Sequence, residues 1–408
     1  ISDGSAVVVL QTDGTDADLL KITGSADGMI TIDVRAAGSN PTKKEIEVVN
    51  TEEASGNAEF KLAGGKVDIG AHEYGLTHGE DANWYLKTEG ELTKTAKSVE
   101  TMPALHLSIV NAGMNELRKR LGDLRSGNPD APAGVWVRGY GKRLRVHERT
   151  GARLNMLGME GGIDAAAELF GGRTYLGVMG GYLSANDIRV FQSGAPDAKG
   201  HTKTPVAGLY ATWLPHNSPW FVDLTARHFW VHTDLDNLSG GNRTNGYDIK
   251  RGFWAFTAET GRLFDFDAPR ALNAGSSLIT FEPKIELRYV HGEAKDFTAD
   301  NGEIGSIDST SSLVSRFNLQ TSYLPEGRTS NWKLFLELGL YNEWIGRTKV
   351  KFADTRLTTS DLSGLGFEAS LGFNAAVAEN AYCYGAVTLE AGEAYTSYQL
   401  NAGLRVSF

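Results

Sequence analysis

The sequence predicts an all-β membrane protein: a 12-stranded antiparallel transmembrane β-barrel with a central pore helix, preceded by a β-rich block. Three observations carry this. Long segments after about Gly134 alternate apolar and polar residues, one stretch has a helical period over a membrane length, and no apolar run approaches the roughly 18 residues of a membrane-spanning helix. The net charge of -10 and pI near 5.5 argue against a nucleic-acid partner. A mean hydropathy of -0.27 does not exclude a barrel, because alternating strands average to ordinary values. Cys383 is the single cysteine, so no internal disulfide is expected, and Ile1 in place of a methionine predicts a processed or truncated product.

From Ile1 to about Gly90, short β-prone runs recur between turn clusters such as Asp13-Gly14 and Gly38-Ser39-Asn40. Their spacing fits a sandwich or the rungs of a parallel β-helix. The clearest piece is VDIGAHEYGLTHGEDANWYL, Val67 to Leu86. It reads as a hairpin, with Tyr74 and Leu76 on one arm, Trp84 and Leu86 on the other, and the turn at His78–Asp81. Such aromatic pairs would cap an exposed sheet end.

One helix is expected from about Pro103 to Leu124. Leu107, Val110, Met114, Leu117, Leu121 and Leu124 follow 3, 4, 3, 4, 3 spacing and form one narrow stripe. Pro103 suits a first turn, while Gly127, Pro129 and Pro132 close the far end. At roughly 33 Å, the segment matches the roughly 30 Å hydrocarbon thickness of a bilayer. Arg118, Lys119, Arg120, Asp123 and Arg125 keep it out of lipid and suit a water-lined pore. The other reading is a helix lying on a soluble β domain.

Twelve strands are expected between about Gly134 and Phe408. In the last, Tyr398, Leu400, Ala402, Leu404, Val406 and Phe408 alternate with Gln399, Asn401, Gly403, Arg405 and Ser407. In the seventh, Ile279, Phe281, Ile285, Leu287 and Tyr289 alternate with Glu282, Lys284, Glu286 and Arg288. Successive charges on one face suit a hydrated lumen and exclude a dry core. Pro283 lacks a ladder donor and predicts a bulge. The ninth strand places Trp332, Leu334, Leu336, Leu338, Leu340 and Trp344 on one face, its tryptophans about 30 Å apart along the membrane normal, where two aromatic girdles belong. Long polar connections at Gln192–His201, Asp234–Gly246, Gly292–Ser311 and Arg347–Asp361 alternate with short turns at Gly171-Gly172, His216–Ser218 and Pro325–Ser330.

Other chemistry finds little support. On a strand, His228 and His232 are about 13 Å apart, too far to share one ion, so no metal site is expected, and no phosphate-cradling or nucleophile-elbow motif occurs. A plugged porin, or a barrel hydrolase using paired lumen carboxylates, are the alternatives.

Together, the β-rich block, the helix, the twelve strands and Phe408 resemble the autotransporters of Gram-negative bacteria, the monomeric type V secretion proteins. The stretch MNELRKRLGDLR, Met114 to Arg125, and VWVRGYG, Val135 to Gly141, are similar to that family's pore helix and first barrel strand. The resemblance implies three parts: residues 1–95 as the end of a pertactin-like β-helical passenger, 96–133 as linker and pore helix, and 134–408 as the translocator. It implies that Val67, Gly70, Tyr74, Leu76, Trp84 and Leu86 form the passenger's cap. Arg138, Glu259, Glu282, Glu286, Arg288, Glu337 and Glu368 would line the lumen. Tyr398, Leu400, Leu404, Val406 and Phe408 would be the signal read by the barrel assembly machinery. It further implies a cofactor-free monomer in the outer membrane that exports its own passenger to the cell surface and meets periplasmic chaperones, lipid and lipopolysaccharide. Some relatives cut the pore helix between two asparagines. Aligned on Gly122–Arg125, the matching pair here is Asn115 and Glu116, and the nearby Asn111 is followed by Ala112. The lumen acids would position the reacting asparagine.

Overall fold

The computed structural model describes residues 6–36, 43–51, 56–114, 131–147, 151–191, 196–239, 243–268, 277–357 and 360–408. In the N-terminal block, Ala6–Thr12, Gly28–Ala36 and Ala58–Leu62 pair in parallel. The strands between them, Leu20–Lys21 and Glu45–Asn50, form a second parallel pair. A chain that alternates between two parallel sheets is winding as a coil, which decides for β-helical rungs over a sandwich. Leu10, Ile32, Val34, Ile46, Val48, Phe60 and Leu62 fill the coil.

The coil ends in a meander of Lys66–Ile69, His72–His78 and Trp84–Lys87. This corrects the expected single hairpin. Leu76 does face Leu86, but Tyr74 pairs with Val67, and Trp84 pairs with His78. The extra turn is at Gly70, whose φ of +59° favours glycine. Burial of Val67, Ile69, Tyr74 and Leu86 closes the coil's core, and the Tyr74 hydroxyl donates to the Lys43 carbonyl at 2.8 Å.

The helix runs Lys94–Gly113, nine residues earlier than Pro103 suggests. Thr93 caps it, its Oγ1 accepting from the Ala96 N–H at 3.1 Å. Pro103 therefore sits mid-helix, where it leaves the Val99 carbonyl without its usual donor at a cost of about 3 kcal/mol. Burial on all sides outweighs that cost. Asn115, Glu116, Leu117, Arg118, Arg120, Leu121 and Leu124 lie outside the described residues.

The first six barrel strands are Ala133–Val146, Gly151–Leu169, Gly172–Phe191, Pro196–Pro215, Trp220–Ser239 and Arg243–Arg262. The last six are Leu278–Gly292, Thr310–Leu324, Trp332–Glu343, Gly364–Ala378, Ala381–Gly392 and Tyr395–Ser407. All neighbours are antiparallel, and the twelfth strand pairs with the first from Tyr395–Val146 to Ser407–Gly134, closing the wall. Its outer face carries a band of exposed Leu, Ile, Val, Phe and Trp that no water-soluble surface tolerates. Trp220 and Trp332 mark one edge of the band, and Trp230, Trp254 and Trp344 lie toward the other.

Two corrections concern the wall. The seventh strand needs no bulge: it runs in unbroken register against the eighth, and Pro283 falls where its ladder with the sixth strand is interrupted after Gly261–Lys284. Second, most of Gln192–His201 and Asp234–Gly246 is strand rather than loop, because strands three to six are each 20 residues long. About 10 residues cross a bilayer, so these strands continue into water, where the alternation inverts: Ile188, Val190, Leu235 and Ile249 are buried inside while the outer face is polar. The connections 293–309 and 344–363 hold a small sheet of their own, Lys295–Thr298, Ile304–Ile307, Val350–Phe352 and Thr355–Arg356.

Candidate functional site

Alternation sends every second side chain of the wall into the lumen, which divides into two zones. Beside the helix the lumen is apolar. Leu144, Leu154, Leu183, Phe229, Val231 and Phe253 share one buried cluster with Val99, Met102, Leu105, Ile109 and Val110 of the helix. Phe297, Ile307 and Phe352 of the small sheet complete this cluster from above. The expected stripe of Leu107, Val110 and Met114 is buried, but so is nearly every other face of the helix. Three of its polar groups find partners on the wall. Ser98 Oγ lies 2.9 Å from the Tyr247 hydroxyl, His106 Nε2 3.0 Å from Thr233 Oγ1, and Asn245 Nδ2 donates to Thr95 Oγ1 at 3.2 Å. Gly113 permits the closest approach, since a Cβ there would stand 2.7 Å from Phe229 Cε1.

Below Gly113 the lumen is ionic. The last carbonyls of a helix lack intrahelical donors, and a buried end must find others. Arg227 Nη1 donates to the Gly113 carbonyl at 2.6 Å. Arg288 Nη2 donates to that of Met114 at 2.9 Å and its Nη1 to that of Asn111 at 3.4 Å. Two guanidiniums at this end also complement the helix dipole. Arg227 shares Glu160 with Arg138, at 3.3 and 2.8 Å, and Arg288 is paired with Glu286 at 2.8 Å.

The remaining charges form pairs across the wall. Arg316 sits among Glu286, Glu368 and Glu390, and Lys142 takes the second oxygen of Glu390 at 2.5 Å. Lys284 pairs with Glu337. Arg405 grips Asp164 through two hydrogen bonds of 2.7 and 2.6 Å. Asp223, Glu259 and Glu286 stand side by side on strands five to seven, and Glu282 lines a recess at the lower mouth near Lys333. All seven expected lumen residues are thus buried inward-facing groups. Glu160, Asp164, Lys142, Arg227, Arg316 and Glu390 complete the network without having been singled out. Parity could have flagged each of them, but not its partner.

On the outside, Tyr398, Leu400, Leu404 and Phe408 are exposed on the lipid face and Val406 is half-buried there. His228 and His232 also face outward, His228 between the rings of Trp230 and Trp254 and His232 against Asp248. Where the coil meets the barrel's upper connections, the buried Glu303 carboxyl accepts the Gly70 N–H. Burial, with Asp68 nearby, pushes it up to about 7.

A family model described as the autotransporter beta-domain matches residues 135–388. The chain belongs to the autotransporters. A second model, pertactin, matches residues 2–88, the coil and its cap. Among autotransporter relatives, Autotransporter CRAC of Citrobacter rodentium is 28% identical over 96% of this chain and 25% of its own length. Autotransporter adhesin/invasin TibA of Escherichia coli is 25% identical over 99% of this chain and 45% of its own. The chain thus spans less than half of these relatives. The beta domain of the Bordetella autotransporter BrkA, 21% identical, superposes with a TM-score of 0.55 over 68% of this chain and all of that one, a likeness of fold. Neither a porin nor a barrel hydrolase is favoured by these matches.

Proposed function

We propose that the chain is the translocator of an outer-membrane autotransporter together with the end of its passenger. Residues 1–95 are passenger, 96–133 linker and pore helix, and 134–408 translocator. The barrel inserts with the help of the assembly machinery and periplasmic chaperones, recognised through Tyr398 to Phe408. It then passes its own passenger to the cell surface as a monomer among lipid and lipopolysaccharide. The observation that carries this reading is a closed wall with a lipid-type exterior around a helix that leads directly from the coil. A lumen of about twelve strands fits one helix and no folded coil, so the passenger must cross before it folds. Protease treatment of intact cells carrying one tag before Ile1 and another in the turn at Phe170–Gly171 tests it. Loss of the first tag with a protected barrel is the expected result, and survival of both would return the plugged porin.

We further propose that the helix cuts itself once, after Asn111 rather than between Asn115 and Glu116. Support comes from Arg288, which polarises the Asn111 carbonyl, while Asn111 Oδ1 is buried without a hydrogen-bond partner among the described residues. The Asn111 side-chain nitrogen attacks its own carbonyl carbon, the bond to Ala112 breaks, and Ala112 leaves as a free amine with a succinimide behind it. Mass spectrometry of the folded chain should find a fragment starting at Ala112 that Asn111→Gln abolishes. A single intact species from the unaltered chain would sink the idea.

A further inference from the structure

We propose that the outer face of strands one to four binds a phosphate-bearing glycolipid of the surrounding leaflet through a row of arginines. Arg145, Arg153, Arg189 and Lys199 stand directly opposite one another on four successive strands. Neighbouring strands are about 4.8 Å apart, so the row spans roughly 14 Å, and like charges in such register repel. Arg143 adds a fifth cation two residues below Arg145 on the same face, beside the exposed Tyr398. Among the described residues, two carboxylates adjoin the row: Asp187 holds Arg189 at 2.8 Å, and Asp236 on the fifth strand stands opposite Lys199 at its end, which leaves Arg143, Arg145 and Arg153 as its centre. Arg153 also lies over the Phe191 ring at 5.3 Å, which fixes its direction. A polyanion laid along the row removes the repulsion.

The position selects which polyanion. Directly below the row on the same strands, Leu157 and Met159 are 66% and 65% exposed, in line with Val137 and Tyr182 of the apolar band. Arg153 is four residues above Leu157, about 13 Å along the strand, so the cations stand at headgroup height over hydrocarbon. An amphiphile with phosphates above acyl chains satisfies both surfaces, whereas a free phosphate satisfies only the upper one. This inference rests on the outer-membrane reading above, with the helix-entry end of the barrel facing outward.

The test uses the full chain in detergent, titrated by native mass spectrometry with lipopolysaccharide, with its enzymatically dephosphorylated form, with phosphatidylcholine and with inorganic phosphate. The triple variant Arg145→Gln, Arg153→Gln, Arg189→Gln is compared with Arg262→Gln, an exposed cation at the opposite end of the wall. Folding of each is checked by the heat-dependent shift in gel mobility. Phosphorylated lipopolysaccharide should bind at least about tenfold more tightly than the dephosphorylated form, and the triple variant should lose that margin while Arg262→Gln keeps it. Equal binding by the triple variant overturns the proposal. Displacement of the lipid by equimolar inorganic phosphate overturns the glycolipid assignment in favour of a simple anion site. Export is read separately, from tag exposure on cells: the triple variant should display its N-terminal block normally, so a failed lipid test and a failed translocator reading give different results.

Discussion

The upper and lower parts of the lumen are built from the same twelve strands, yet they hold the helix by different physics. Above Gly113, Leu183, Phe229 and Phe253 surround it as they would in a soluble core, and attraction grows with buried apolar area. Below, Arg227 and Arg288 grip its last carbonyls from within a set of ion pairs, where the geometry of each pair matters more than area. The upper contacts therefore supply strength, and the lower ones fix how deep the helix sits.

The largest expected effect is in the upper zone. Phe229→Ala opens a cavity against Gly113 and should cost about 3–5 kcal/mol, read as a lower denaturation midpoint in detergent. A loss under about 1 kcal/mol would mean the helix is not packed as a core and would erase the contrast. In the lower zone, Arg288→Ala strips Glu286 and the Met114 carbonyl of a partner and should cost about 3 kcal/mol. Removing Glu286 as well should recover part of that loss, and strict additivity would break the claim of a coupled network.

Glu303 offers a third environment, a buried carboxylate at the junction of coil and barrel. Its folded value of about 7 lies above the usual 4.5, so it binds its proton more tightly in the folded state. The stability of this junction is thus full below about pH 4.5 and falls by about 3 kcal/mol as the pH rises through 7. Limited proteolysis of the coil across that range should show the trend, and Glu303→Gln should flatten it. The smallest effect belongs to Lys66, half exposed between Glu73 and Glu91, each at 2.7 Å. Lys66→Ala should change stability by less than about 1 kcal/mol, and a larger loss would blur the distinction between exposed and enclosed ion pairs.

What the sequence made legible follows the same division. Parity in the seventh, ninth and twelfth strands separated lipid from lumen, because a strand inside the bilayer has one face in each. Parity separates two faces without saying which of them looks inward. Leu144 and Leu154 point inward while their neighbours Arg143, Arg145, Arg153 and Asn155 point out, the reverse of the order within the bilayer, so the greasy upper zone did not stand out. The helix start was misplaced because Lys94 to Met102 has no apolar period and Pro103 imitates a first turn, although Thr93 was a readable cap. Pairings such as Lys142 with Glu390 join residues 248 apart and depend on where the wall closes, which no local pattern records.

The all-round burial of the helix also has an electrical meaning. A hydrated ion crossing the apolar collar would have to shed its water among Leu105, Ile109, Phe229 and Phe253, at a cost of many kcal/mol. The packing that moors the coil to the membrane therefore also acts as an insulator, so a barrel of this width can stay in the membrane without becoming a leak.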